Sequence, residues 1–119
     1  HLSGKVSGIS YRVPTAIVSV IDAHFELRTD TTPEELNQLL RDRTCDSLDE
    51  VLLVDDGFNG NRRVSSDFLK DPHSVIVSSL DTKVTGKYAS LSLFHDNEWA
   101  YCARLNDLLE YICRRKRDG

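Results

Sequence analysis

The 119-residue chain contains no methionine, so nothing in it could have served as an initiator, and the expectation is that His1 opens a piece of a longer protein. Cysteine is scarce and odd in number: Cys45, Cys102 and Cys113 do not make the framework of a small secreted domain, and reduced thiols in an intracellular setting are expected. No apolar run approaches the ~20 residues of a membrane-spanning helix, and no signal-peptide core opens the chain. A soluble, cytoplasmic protein without membrane contact follows as an expectation. Basic excess is missing too. With 15 Lys+Arg against 19 Asp+Glu and a net charge of −4, there is no general pull toward nucleic acid, and any anion site must be local. Metal-ligand spacing is absent, with no Cys-x-x-Cys and no His-x-x-x-His, and the stretch Asp55–Asn61 fails the calcium-loop pattern. Phosphate-cradling glycine loops are absent as well, because Gly57 and Gly60 precede neither Lys-Ser/Thr nor a helix with dinucleotide spacing. The chain should bind no metal, and no dinucleotide unaided.

What is present describes one folded unit: 39% hydrophobic and 29% charged residues exclude whole-chain disorder, and the length leaves room for one core. The segment Lys5–Val13 ends at Pro14 and leads into a β-rich run, Ala16–Arg28. There Ile17, Ile21, Ala23, Phe25 and Leu27 share one face and Asp22, His24, Glu26 and Arg28 the other, which predicts a strand with one buried side. Val18 and Val20 opposite Ile17 and Ile21 make its first half apolar on both faces, so that end should be covered twice, for instance by a partner surface. Thr32-Pro33-Glu34-Glu35 reads as a capped helix start, with Leu36, Leu39 and Leu40 as the buried stripe and an end near Arg43. A polar connection then runs through Asp49. Strands are predicted at Val51–Val54, Val64–Ser66, Ser74–Ser79, Thr82–Thr85 and Tyr88–His95, with a turn-rich stretch at Asp55–Asn61. Glu98–Arg115 reads as a closing helix whose apolar stripe is Cys102, Leu105, Leu108, Leu109, Ile112 and Cys113. The fold class is α+β, a mixed, mostly antiparallel sheet with two helices.

Each chemical candidate has a plain alternative. Arg12, just before Val13-Pro14, is either a solvated strand-end arginine or a planar clamp for phosphate or carboxylate. At His95-Asp96-Asn97-Glu98-Trp99 a strand hands over to a helix, which suits a ligand. It suits equally an ordinary cap in which Asp96 or Asn97 satisfies the first amides and Trp99 packs on the strand. Tyr101 is either a boundary aromatic or a surface for a planar cofactor. A cysteine nucleophile with His24, His73 or His95 as base is the natural enzyme guess. Cys102 and Cys113, however, lie only ~20° apart around a helix on its apolar stripe, where buried structural cysteines sit. Cys45, with Arg41 and Arg43 nearby, is the thiol best placed to react. Arg114-Arg115-Lys116-Arg117 complements a helix C-terminus, and Arg62-Arg63-Val64-Ser65 has the look of a kinase site.

Taken in order, Gly8 to Asp22 with its Tyr11-Arg12-Val13-Pro14-Thr15 core, Ser65-Ser66-Asp67-Phe68, Asp71-Pro72-His73-Ser74, Asp96-Asn97-Glu98-Trp99, Tyr101 and Arg104 resemble the catalytic domain of phosphorylating glyceraldehyde-3-phosphate dehydrogenases. Asp71–Val77 and Trp99 are equally similar to the erythrose-4-phosphate dehydrogenase branch. The resemblance implies that residues 1–119 are the C-terminal part of that catalytic domain, with the nucleotide-binding domain absent. It implies that Arg12 binds a phosphate, that Asn97 holds the nicotinamide carboxamide and that Tyr101 lies beside the nicotinamide ring. In that family a cysteine thiolate attacks the aldehyde, a histidine assists, hydride passes to NAD or NADP, and phosphate releases an acyl phosphate. Neither that cysteine nor that histidine is matched here, so no residue of this chain is expected to be catalytic.

The implied parent is a cytoplasmic, homo-oligomeric oxidoreductase of glycolytic type, acting on an aldehyde phosphate and inorganic phosphate. The isolated chain is expected to be inactive, with no cofactor bound. Three departures stand out: Ala100 replaces a usual glycine, Ala103 a common polar residue, and Asp55–Arg63 is longer than the family's loop. The alternative is a non-catalytic paralogue acting as a binding or assembly module through its sheet face. A weaker one is a free-standing phosphate-binding domain. A partial sheet should also expose a wide apolar patch or self-associate.

Overall fold

The computed structural model describes residues 2–45 and 48–117, with side chains described as far as 115. Part of the expected polar connection, Asp46 and Ser47, therefore lies outside the described residues. Five strands form one sheet: β1 (Ser19–Glu26), β2 (Leu52–Asp55), β3 (Val75–Ser78), β4 (Lys83–Thr85) and β5 (Tyr88–His95). The order is β1-β5-β3-β2, with β4 also paired to β5. Only β2 and β3 run parallel, and the remaining pairs are antiparallel. With helices α1 (Pro33–Thr44) and α2 (Trp99–Arg117), this is the α+β fold that the sequence predicts.

Helix α1 begins where expected and for the expected reason. The Thr32 hydroxyl accepts from the Glu35 amide at 3.2 Å, and the Glu35 carboxylate accepts from the Thr32 amide at 3.1 Å, closing a reciprocal capping box with Pro33 in the first turn. Alternation along the strands then splits the core in two. On one face Leu52, Val77 and Leu91 are covered by Leu36 and Leu40 of α1. On the other, Val18, Phe68, Ile76 and Phe94 pack together, with the Phe68 and Phe94 rings 4.8 Å apart.

Four expectations are corrected. Val64–Ser66 is not a strand, because Ser65–Phe68 forms a single 3-10 turn in which the Asp67 carboxylate takes the Val64 amide at 2.8 Å. That bond supplies locally what a sheet neighbour would have supplied. Leu39 faces solvent, and the polar Asn37 is buried in its place, donating to the Ser79 carbonyl at 3.1 Å and accepting from the Thr82 hydroxyl at 2.7 Å. Strand β1 has no buried side: Val20, Ile21 and Phe25 are all exposed, because β1 is an edge strand beyond the reach of α1. Of the apolar stripe on α2, every member from Cys102 to Cys113 is exposed, so the two helical cysteines are not core residues. Exposed large apolar residues thus occupy both β1 and α2.

Candidate functional site

The handover from β5 to α2 is built around one carboxylate. Asp96 is 1% exposed and accepts from the amides of Lys70 at 2.8 Å, Glu98 at 3.0 Å and Trp99 at 2.9 Å. Two of these bonds cap α2, and the third ties in the loop that precedes β3. Burial alone pushes the Asp96 carboxyl up, but the Trp99, Lys70 and Glu98 amides, with neighbouring His95, together hold it below the ordinary carboxylate range. The cap reading of this junction is correct for Asp96. Trp99 does not pack on the strand: it is half-exposed, with the Lys70 ammonium 5.9 Å from its ring centre.

With Asp96 occupied by the cap, its neighbours are left free. Asn97 is exposed, and its amide makes no hydrogen bond among the described residues. Tyr101 lies one helical turn further on with its ring in solvent. Ala100 between them is fully buried, its amide donating to the Asp96 carbonyl at 3.1 Å.

Arg12 lies in the exposed segment that leads into β1, well before the first paired residue, Ser19. Ser19 pairs with His95, so β1 begins where β5 ends, and the segment before β1 emerges at the same end of the sheet as Asn97 and Tyr101. Val18 holds that entry, 3% exposed against Phe68 and Phe94, with its backbone at a φ of 71°. Arg12 itself is exposed and has no carboxylate partner among the described residues. Two hollows, of about 370 and 500 Å³, lie elsewhere: one beside Phe25 and Tyr88, the other beside Phe58 and Arg62. Neither is lined by Arg12, Asn97 or Tyr101.

None of the cysteines is paired with a histidine among the described contacts. Cys45 has only the Thr44 hydroxyl, at 4.0 Å. His73 is held instead by Asp71, ring nitrogen to carboxylate at 2.6 Å, and exposed His24 lies 3.3 Å from Asp22. No group of three potential metal ligands occurs among the described residues, and none of their helices is long and apolar enough to cross a membrane. Of the basic tail, Arg114 pairs with Glu110 at 3.2 Å and Arg115 lies over the Tyr111 ring, while the side chains of Lys116 and Arg117 lie outside the described set.

Two supports of the junction rest on contacts that sequence reading does not show. Lys70 reaches Asp96 through its backbone, at a φ of 62°, which no residue pattern announces. Arg104 donates to the Glu50 carbonyl at 2.8 Å and the Ser74 hydroxyl at 3.2 Å, and pairs with Asp107 at 2.7 Å. Arg104 stands among the residues that carry the resemblance, and its spacing to Asp107 is a local signal, but neither announces the reach to Glu50 and Ser74.

Comparison with known proteins agrees with the motif order. Residues 1–97 match the family model described as glyceraldehyde 3-phosphate dehydrogenase, C-terminal domain. The chain is 42% identical to a glyceraldehyde-3-phosphate dehydrogenase of Cereibacter sphaeroides, over 90% of this chain and 31% of that protein. It is 33% identical to glyceraldehyde-3-phosphate dehydrogenase 2 of Bacillus subtilis, over 98% of this chain and 34% of that protein. With glyceraldehyde-3-phosphate dehydrogenase 3 of Saccharomyces cerevisiae it shares 36% identity, over 96% and 33% respectively. The chain thus spans about a third of the length of the curated relatives it matches.

Proposed function

The chain belongs to the glyceraldehyde-3-phosphate dehydrogenase family, matched in its C-terminal domain, and from that premise we propose that residues 1–119 form the C-terminal part of the catalytic domain of a phosphorylating aldehyde dehydrogenase. The substrates are an aldehyde phosphate, an NAD or NADP cofactor and inorganic phosphate, and the whole protein works in the cytoplasm as a homo-oligomer. The nucleotide-binding domain lies outside these residues. The assignment of residues is supported by the Ser19/His95 pairing, by which the chain enters β1 at the end of the sheet where β5 hands over to α2.

The side chains suit the roles. A nicotinamide carboxamide presents one acceptor and one donor pair, and the Asn97 amide, free of other partners among the described residues, offers the complementary set. The exposed Tyr101 ring can cover one side of a planar heterocycle and keep water from it. Arg12, unneutralised by any described carboxylate, offers a planar fork for phosphate oxygens. When bound, the dinucleotide supplies the hydride acceptor. The nucleophilic sulfur and its histidine base are assigned to no residue here, so the isolated chain is read as inactive.

The test compares the full-length protein carrying this sequence with its variants in a phosphate-dependent aldehyde phosphate oxidation assay. Arg12→Ala raises KM for the phosphate-bearing substrate by about ten- to a hundred-fold, the loss of a charge-assisted hydrogen bond. Asn97→Ala raises KM for the dinucleotide by about ten-fold while leaving that for phosphate unchanged. The 119-residue chain alone shows no turnover and no saturable binding of glyceraldehyde 3-phosphate. A full-length protein without turnover of any aldehyde phosphate defeats the enzyme reading and leaves the non-catalytic paralogue. Turnover that ignores both substitutions defeats the residue assignment alone.

A further inference from the structure

The stretch between β2 and the 3-10 turn plays no part in the proposed site, and its chemistry stands apart from it. Phe58 and Asn61 bond to each other in both directions, at 2.9 and 3.0 Å, around the two-residue turn Asn59-Gly60. Both central residues have left-handed backbones, φ 50° and 75°, the geometry in which Asn-Gly is favoured.

The asparagines of the chain differ sharply in how well their amides are protected. Asn37 is buried with both ends of its amide bonded. After Asn97, the Glu98 amide nitrogen is engaged by the Asp96 carboxylate at 3.0 Å. Asn106 lies inside α2, where the backbone conformation is fixed, and its amide donates to Glu110. Asn61 is paired through its own backbone and is followed by the bulky Arg62. Asn59 alone combines an exposed side chain with a following glycine whose N–H has no acceptor among the described residues. Around Gly60 nothing lies within 4 Å of where a Cβ would stand, so no neighbouring group crowds that side of the residue.

We propose that Asn59 is a site of spontaneous deamidation, a slow covalent modification that changes the charge and the backbone of this turn. The Gly60 amide nitrogen, giving up its proton to hydroxide, forms a bond to Cγ of Asn59. The Cγ–Nδ2 bond breaks, and the nitrogen takes up a proton and leaves as ammonia, giving a five-membered imide. Water then opens the imide at either carbonyl, yielding aspartate or isoaspartate, with no change of oxidation state. The product carries one negative charge more than the present −4, placed close to Arg62 and Arg63, which already bind Asp81 and Asp55. Isoaspartate also lengthens the backbone inside a turn that only two hydrogen bonds close.

The experiment ages the full-length protein carrying this sequence at mildly alkaline pH, folded and in urea, and follows each asparagine of residues 1–119 by peptide mapping and isoaspartate detection. In the folded chain the peptide carrying Asn59 converts first, with isoaspartate exceeding aspartate and a rate that rises with hydroxide concentration. Asn59→Gln abolishes that conversion. Gly60→Asn tolerates the left-handed backbone and slows conversion by roughly ten-fold or more, because its side chain crowds the nitrogen. Conversion of another asparagine first, or of Asn59 in urea but not in the folded chain, overturns the proposal.

Discussion

Asp96 shows how one side chain both builds a junction and releases its neighbours. A carboxylate that is 1% exposed would be costly alone, and here three backbone amides receive it. Because its folded pKa is lowered, the unfolded chain binds a proton more readily than the folded one, and stability rises with pH through that range. The contribution is complete above the unfolded value of about 3.9 and is lost as pH falls through the lowered folded value. Asp96→Ala is expected to cost about 1–2 kcal/mol at about pH 7. Asp96→Asn keeps the cap's shape and should flatten the acid limb of the stability curve. Urea titrations at a series of pH values check both, and an unchanged acid limb in Asp96→Asn would remove Asp96 from the linkage. Asp56 is lowered too, by the Ser79 hydroxyl first and Arg41 second, but it stands in solvent and screening leaves it a minor contributor.

At the scale of elements, what could be read in advance was what local chemistry decides. The capping box placed the start of α1, and alternation placed all of β5, from Tyr88 to His95. Thr32→Ala should therefore destabilise by about 1 kcal/mol, measured as a shift of the urea midpoint with unchanged slope. Gly57 makes a harsher test. Its φ is 78°, and an added Cβ would collide with the Asn61 carbonyl, so Gly57→Ala should cost about 2 kcal/mol or more in the same titration. Where reading failed, a distant or backbone partner had decided. Val64 lost its strand to the Asp67 carboxylate, and Asn37 was drawn into the core by Ser79 and Thr82, more than forty residues away. The candidate site divides in the same way. Asp96 was legible as a cap, while the Lys70 amide and the reach of Arg104 to Glu50 were not, because the first depends on how the loop before β3 folds back on the β5–α2 junction and the second on how the turn before β2 meets α2.

The whole molecule is less compact than its length suggests. Its radius of gyration is 16.3 Å, against about 13.5 Å for a globular domain of this size. Residues 2–16 are exposed and outside any helix or strand, which spreads the chain. β1 carries Ile21 and Phe25 on one face and Val20 on the other, and α2 carries Leu105, Leu108, Leu109 and Ile112 on its apolar stripe, all exposed, Leu109 to 62%. Sequence patterned for burial but left in water is a surface that seeks cover. The chain by itself should accordingly self-associate with rising concentration in light scattering and bind a hydrophobic dye. Replacing Leu109 and Ile112 by glutamate should restore a monomer. Because neither residue touches the two sheet cores, the same substitutions should shift unfolding free energy by less than about 0.5 kcal/mol. If the unsubstituted chain scatters as a monomer at all concentrations and binds no dye, the α2 stripe is not a buried face in waiting. If the double substitution unfolds the sheet, α2 belongs to the core after all.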